Sequence, residues 1–459
     1  MTGPLHLRFD RGTLRIEGPA ADSLPAVVWD DRITAWRAPA HRYAAILDHA
    51  ASSGLALIDE VGPHLRTASG PWIAPSLRPY QRDALRAWRA FRSRGLVVLP
   101  TGSGKTIVAV AALASAAAPA LILCPTRALL EQWERELERF YAGPVGVVGD
   151  GARRIEAVTV MTFESAYRQL DTVGDRFAVL VVDEAHHFAG GFRAEALEMC
   201  VAPKRLGLTA TAPDPGSAAA RCLEDLIGPL VCEVGVGELL GVHLADLEVL
   251  RMAVRLEPDE LAAYVRDYRP FAELRGAFAR ANPDADWAST LRAVARTAAG
   301  RAAISNYRRA VALASFPKAK RSLLAALLTR HREDKSLIFT SSTDDAYAIA
   351  LEHLVPVITA DTGRRERLDI LDRYRDGRYR TLVSACVLNE GVNVPDARIA
   401  IIVAGRFGRL EQVQRIGRVL RPAPGKVARV YELVTSDTVD DGRARARGRR
   451  LAARSASRV

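Results

Sequence analysis

The sequence predicts an α/β protein: two tandem parallel-sheet domains, a helical insertion between them and a small α+β domain at the N-terminus. Three observations carry this. Short, continuously apolar segments alternate with helical segments from Leu77 to about Val236, and the alternation resumes at Lys320. The stretch between the two runs has helical patterning and no strand signal. A glycine-rich loop, P-T-G-S-G-K-T at 100–106, joins the first apolar strand to the helix after it. Continuous apolar strands separated by helices make a parallel sheet covered on both faces. The chain has 459 residues, enough for roughly three domains at about 150 residues each.

The elements follow in chain order. Residues 1–74 form the small N-terminal domain, with strands expected at L-H-L-R-F, T-L-R-I-E and A-V-V-W and a helix at H-R-Y-A-A-I-L-D-H-A. G-P-W-I-A-P at 70–75 is read as a linker. Residues 75–245 form the first sheet domain, with strands at 96–99, 121–124, 157–161, 178–182 and 205–208. Residues 246–320 are the helical insertion, rich in arginine and carrying Tyr264, Tyr268, Phe271 and Phe278; its arginines suit phosphates, and its aromatics suit a core better than a stacking platform. Residues 321–440 form the second sheet domain, with strands at 336–339, 355–358, 381–384, 399–403 and 430–434. Residues 441–459 read as a disordered basic tail, with seven arginines and no acid from Gly442 onward.

Composition narrows the function. The net charge of +11 makes a polyanion a natural partner. The five cysteines, Cys124, Cys200, Cys222, Cys232 and Cys386, are scattered without a C-x-x-C pair. That gives no signal for zinc or an iron–sulfur cluster, and it fits a reducing cytoplasm. No apolar run approaches a membrane span, and the start of the chain lacks the apolar core of a signal peptide. The expected location is the cytoplasm, at the nucleoid in a prokaryote.

The loop at 100–106 has the chemistry of a nucleotide site. Gly102 and Gly104 let the backbone wrap closely, so that N–H groups of Thr101, Ser103 and their neighbours point at phosphate oxygens. The following helix adds its positive end. Lys105 supplies a mobile charge for the β- and γ-phosphates, and Thr106 a hydroxyl for Mg²⁺. Leu99 stands where the full Walker pattern has glycine. Val181-Val182-Asp183-Glu184-Ala185-His186 ends an apolar strand in two carboxylates. Asp183 is placed to bind Mg²⁺ through water, and Glu184 to orient and deprotonate the attacking water. Upstream, in L-R-P-Y-Q, the amide of Gln81 has the donor and acceptor that an adenine edge requires, with Arg78 beside it. Near the far end, Q-R-I-G-R-V-L-R at 414–421 spaces Arg415, Arg418 and Arg421 by three, one cationic face on a helix.

In this order, these motifs resemble those of superfamily 2 helicases. C-P-T-R-A-L at 124–129, T-F-E-S-A-Y at 162–167, L-T-A-T at 208–211 and L-V-S-A-C-V-L-N-E-G-V-N-V-P at 382–395 extend the match over roughly residues 75–435. Within the superfamily the sequence is most similar to the XPB-type DNA repair helicases, through R-P-Y-Q, L-P-T-G-S-G-K-T and Q-R-I-G-R-V-L-R-P. R-G-T-L-R-I-E-G and R-A-P-A-H-R-Y are similar to the family's small damage-recognition domain.

The resemblance implies two RecA-like domains, ATP and Mg²⁺ as cofactors, and DNA, single-stranded or forked and held by its backbone, as partner. The helical stretch would be the family's thumb. Arg418 and Arg421 would face the γ-phosphate as arginine fingers, with Gln414 coupling ATP to DNA and Arg415 serving internal salt bridging. Thr126, Arg127, Thr162, Thr340 and Ser384 would grip the strand. His186, Thr209, Thr211 and Gly391 would couple nucleotide state to closure. A nuclease partner in excision repair is implied by family alone.

Two departures matter. Ala212-Pro213-Asp214-Pro215-Gly216 stands where the family carries an Arg-Glu-Asp element linked to unwinding, and Asn389 and Asn393 stand where acids are common. Duplex translocation without strand separation therefore stays open beside unwinding. So does an RNA track, because backbone-gripping motifs do not test a 2′-hydroxyl.

Overall fold

The structure is a computed structural model, and it describes residues 3–66, 69–149, 151–188, 194–239, 246–283, 286–385, 397–404 and 427–444. These fall into two compact units, one ending at Leu239 and the other starting at Asp246.

The first unit opens with a five-stranded sheet. Leu5–Asp10 and Thr13–Glu17 pair antiparallel, Ala35–Pro39 and Val28–Asp30 extend that edge, and Leu57–Asp59 adds in parallel at the other. Alternation drives it: Leu5, Leu7, Leu14 and Ile16 turn inward, while Val28 and Trp29 lie on the exposed edge. Tyr43–Ser52 is the expected helix. The strands Ala35–Pro39 and Leu57–Asp59 lack a clear sequence signal. The G-P-W-I-A-P stretch is not a free linker, because Trp72 pairs with Tyr141 by a β-bridge and their rings lie 4.6 Å apart.

The second sheet of this unit has eight strands. Their spatial order is Leu230–Glu233, Arg94–Val98, Lys204–Thr209, Val179–Val182, Ala120–Cys124, Val158–Thr162, Val145–Gly149 and Ala152–Arg154. All pair in parallel except the last. The central strands are buried along their whole length, as apolar runs sandwiched by helices must be. The helix Arg127–Phe140 lays Leu130, Trp133 and Leu137 on the sheet and its charges outward. Because the strands are parallel, all their carboxyl ends share one rim, where open α/β sheets bind ligands.

The other unit holds a six-stranded parallel sheet in the order Asp246–Val254, Val427–Thr435, Ile399–Ile402, Ser336–Thr340, Thr381–Ala385 and Val357–Ile358. The expectation of no strand in the insertion fails at its start. Asp246–Val254 pairs along nine residues with Val427–Thr435. Its alternating charges, such as Glu248 on Arg429 at 2.7 Å, suit an edge. The helices Pro258–Ala281, Trp287–Val294 and Ala298–Ser315 follow. Tyr264 and Phe271 are buried among them, as core residues.

The first residues of the stretch read as a disordered tail are structured. Residues 439–444 are helical, and Arg443 donates to Tyr307 Oη at 3.2 Å; residues 445–459 lie outside the described residues. Cys124, Cys200, Cys222 and Cys232 are free thiols. Among the described residues there is no metal-ligand cluster, and no helix is long and apolar enough to cross a membrane.

Candidate active site

The site is built where Arg94–Val98 ends. Gly102 and Gly104 both take positive φ, 84° and 81°, which glycine adopts without steric cost. Gly104 caps the helix Lys105–Ala116, whose first turn carries Lys105 and Thr106. A Cβ at Gly104 would stand 2.6 Å from Gln81 Nε2, so the loop needs glycine there for packing as well as for its turn.

Two side chains from the helix Pro79–Ala90 fasten this loop. Tyr80 Oη donates to the Ser103 carbonyl at 2.6 Å, and Gln81 Nε2 donates to the same oxygen at 2.8 Å. Gln81 Oε1 accepts from the Arg78 N–H at 2.9 Å. The adenine-reading amide of the sequence is thus 4% exposed and bonded on both sides to its own chain, which makes it a support of the phosphate loop. Ser103 Oγ turns back to the Pro100 carbonyl at 2.6 Å, and Lys105 Nζ rests on the Leu99 carbonyl at 3.3 Å.

Asp183 follows directly on Val179–Val182 and is buried. Its Oδ2 accepts from Trp133 Nε1 at 2.9 Å, and its Oδ1 from the Glu184 N–H at 3.0 Å. Burial, and next the charge of Glu184, push its carboxyl up to about 6, against the pull of Lys105. Glu184 itself has φ of 50°, a conformation costing a non-glycine residue on the order of 1 kcal/mol. His186 Nδ1 lies 3.5 Å from Glu184 Oε2 and 3.2 Å from Thr209 Oγ1. Thr209 Oγ1 in turn donates to the Thr211 carbonyl at 3.1 Å. His186, Thr209 and Thr211 thus form one polar chain leading away from the carboxylates.

The residues fit a triphosphate and a divalent cation. Thr101 Oγ1 is buried in the loop without a hydrogen-bond partner, and a costly buried carboxylate stands beside a lysine. Trp133 and Tyr80 were missed by sequence reasoning. Trp133 falls on the apolar face of its helix, where nothing marks its indole N–H, and Tyr80 sits inside R-P-Y-Q, where the motif carries no signal for a phenol hydrogen bond.

Further along the same rim come the strand-gripping candidates. Thr126 caps its helix by accepting from the Leu129 N–H at 3.3 Å, and Arg127 beside it is exposed. Thr162 caps the next helix through Ser165 at 3.2 Å and is largely buried. In the other unit, Thr340 and Ser384 are 0% and 1% exposed, and the Thr340 hydroxyl donates to the Ser342 carbonyl at 2.9 Å. The burial of both residues runs against the expectation that their hydroxyls face a strand. Gly391, Gln414, Arg415, Arg418 and Arg421 lie outside the described residues.

Comparison with known proteins places these observations. Residues 74–214 match the family model of the type III restriction enzyme res subunit, residues 7–61 the Xeroderma pigmentosum group B helicase damage recognition domain, and residues 319–423 the helicase conserved C-terminal domain. The chain is 31% identical over 441 residues to the DNA 3′-5′ translocase XPB2 of Sulfurisphaera tokodaii, covering 95% of this chain and 98% of that one. It is 30% identical over 390 residues to the DNA 3′-5′ helicase XPB of Mycobacterium tuberculosis, covering 82% and 64%. Among solved structures, the Pyrococcus furiosus Hef helicase domain aligns with a TM-score of 0.52 at 18% identity, over 81% of this chain and 98% of that one, which supports the fold. With a glycine-rich loop, two carboxylates and a histidine on one rim, and a relative matched along nearly its whole length, this chain belongs to the XPB family of superfamily 2 helicases.

Proposed function

We propose that the protein is an ATP-driven DNA motor of 3′-to-5′ polarity acting in DNA repair, with hydrolysis on the carboxyl rim of the first unit's eight-stranded sheet. The observation that carries this is the continuity of that rim. The phosphate loop, Thr209, Asp183 and Glu184, Thr126 and Arg127, and Thr162 follow one another across adjacent strands. Nucleotide chemistry and strand grip therefore share one rigid edge.

In this reading the N–H groups of 102–106 and the helix end hold the phosphates. Lys105 leaves the Leu99 carbonyl for the β- and γ-phosphates. Thr106 and Asp183 would hold Mg²⁺, which would supply charge neutralisation for the phosphates. Glu184 accepts the proton of the attacking water. His186 senses the state of Glu184 and passes it to Thr209 and Thr211. The family resemblance assigns Arg418 and Arg421 to the γ-phosphate and Gln414 to coupling, so Arg421→Ala should leave nucleotide binding near normal and abolish turnover; weakened DNA binding with intact turnover would remove that assignment. Thr126 and Arg127 contact the strand backbone without reading bases. A nuclease partner is carried by family analogy alone.

A second reading, duplex translocation without strand separation, is favoured by one observation: Ala212–Gly216 contains no Arg-Glu-Asp element. Strand displacement measured beside triplex displacement separates the two. Triplex displacement alone selects translocation; strand displacement at a comparable rate selects unwinding.

A further inference from the structure

The first unit has a second charged site, on the opposite rim of the same sheet. Arg94 and Lys204 are the first residues of their parallel strands, about 17 Å from the phosphate loop at roughly 3.3 Å per strand residue. Here a cavity of about 400 Å³ opens between the sheet and the N-terminal domain. Its walls carry Arg42, Arg92, Arg94 and Lys204 against a single acid, Asp48. Arg92 is engaged by Asp48 at 2.8 Å and Arg42 by Asp225 at 2.8 Å. Among the described residues the Lys204 ammonium makes no ion pair. Arg205, fully buried behind the wall, adds another positive charge.

The same cavity is lined by His41, which is 5% exposed. Neither of its ring nitrogens has a hydrogen-bond partner, and the Asp225 carboxylate stands 3.5 Å from Nε2. Burial, and next the charges of Arg205 and Arg42, push its pKa down to about 3. The ring is therefore neutral, with one N–H to give. An imidazole buried without partners is costly. Four cations, two of them shared with the carboxylates of Asp48 and Asp225, leave a net positive lining around one neutral donor, the complement of a phosphate group.

We propose that this groove is a second phosphate-binding site that holds a phosphodiester of duplex DNA away from the motor rim. The DNA source is favoured over a free anion because the cations spread along an open groove. One wall of that groove belongs to the segment matching a damage recognition domain. The inference rests on the DNA-motor reading but uses none of its ATP chemistry.

The test is duplex affinity of the full chain across a salt series, for the wild type and for Arg92→Gln/Lys204→Gln. Both side chains are outside the ATP site. Losing one phosphate contact lowers the slope of log K against log salt by about 0.9, and that drop is expected here, with DNA-free ATP hydrolysis unchanged. On a single strand too short to reach both rims, the variant and wild type should give the same slope. An unchanged duplex slope overturns the proposal. A variant that loses binding of inorganic phosphate in calorimetry while keeping the duplex slope also overturns it, since the ligand is then a free anion. His41→Phe should weaken duplex binding several-fold with the slope intact, because it removes a donor and no charge; wild-type affinity there would contradict the role of the ring. If the wild type binds duplex with the expected slope difference but hydrolyses no ATP, the motor reading fails and this site survives.

Discussion

Among the described residues, each unit buries one cation completely, and the two are compensated differently. Arg205 gives its guanidinium hydrogens to main-chain carbonyls: Ala202 at 3.0 Å, Leu197 at 3.1 Å, Leu226 at 2.7 Å, and Cys200. Among the described residues no carboxylate lies within ion-pair distance of it. Leu197 and Leu226 close to the ends of two helices supply carbonyls that favour a cation. Burial still pulls the Arg205 pKa down to about 10. Lys320 instead meets the carboxylate of Asp440 at 2.8 Å, with the carbonyls of Val403 at 2.6 Å and Ser315 at 3.2 Å. One unit therefore neutralises its buried charge with partial charges fixed by the backbone, and the other with a removable side chain. The difference teaches where a loss can be repaired.

Arg205→Met sharpens the contrast most. It leaves four carbonyls without donors, at about 1–3 kcal/mol each, so the first unit should fail to fold or show the lowest denaturant midpoint of the set. Arg205→Lys should not rescue it, since one ammonium cannot span four carbonyls; a wild-type midpoint in that variant would break the comparison. Lys320→Met strands the Asp440 carboxylate and should destabilise by about 3–5 kcal/mol. Adding Asp440→Leu should recover part of that, limited by the Thr435 N–H, which loses its 3.0 Å acceptor. No recovery would mean that the carboxylate is not the origin of the cost.

How much of this was legible in the sequence differs by element. Ala120–Cys124, Val158–Thr162 and Val179–Val182 are buried on both faces, so their apolar runs declare them. Asp246–Val254 alternates charge and apolar residues at a sheet edge, which reads equally well as a helix face; only pairing with a segment some 180 residues later makes it a strand. The phosphate loop and Asp183-Glu184 were legible because their chemistry is contiguous. Trp133 on Asp183, and Tyr80 on Ser103, depend on contacts that chain order does not encode. Thr340 and Ser384 show the same limit, since a motif fixes position along the chain and not exposure.

Acid tests the opposite rim. His41 has a folded pKa near 3, below the ordinary value near 6.5, so the unfolded chain binds the extra proton between those values. Stability is present above about 6.5 and lost as pH falls. Between pH 6.5 and 5 the wild type should lose about 2 kcal/mol relative to His41→Phe, at about 1.36 kcal/mol per pH unit. Arg205, Arg42 and Arg94 act with this effect and Asp225 against it; equal acid sensitivity in both proteins would refute it.

The smallest effects come from the caps. Thr126→Ala and Thr162→Ala should each cost about 1 kcal/mol in stability. Thr126→Ala should also weaken DNA binding, whereas Thr340→Val should leave DNA affinity unchanged because its hydroxyl is buried. Weaker DNA binding by Thr340→Val would restore that hydroxyl to the strand track.

The most direct measurement of the central claim is steady-state ATP hydrolysis with and without duplex DNA, for the wild type, Lys105→Ala and Glu184→Gln, beside nucleotide binding. The wild type should be stimulated by DNA. Glu184→Gln should bind nucleotide and lose about 10²–10⁴-fold in turnover, and Lys105→Ala should lose turnover with weakened binding. Wild-type turnover in either variant would contradict the assignment of catalysis to this rim.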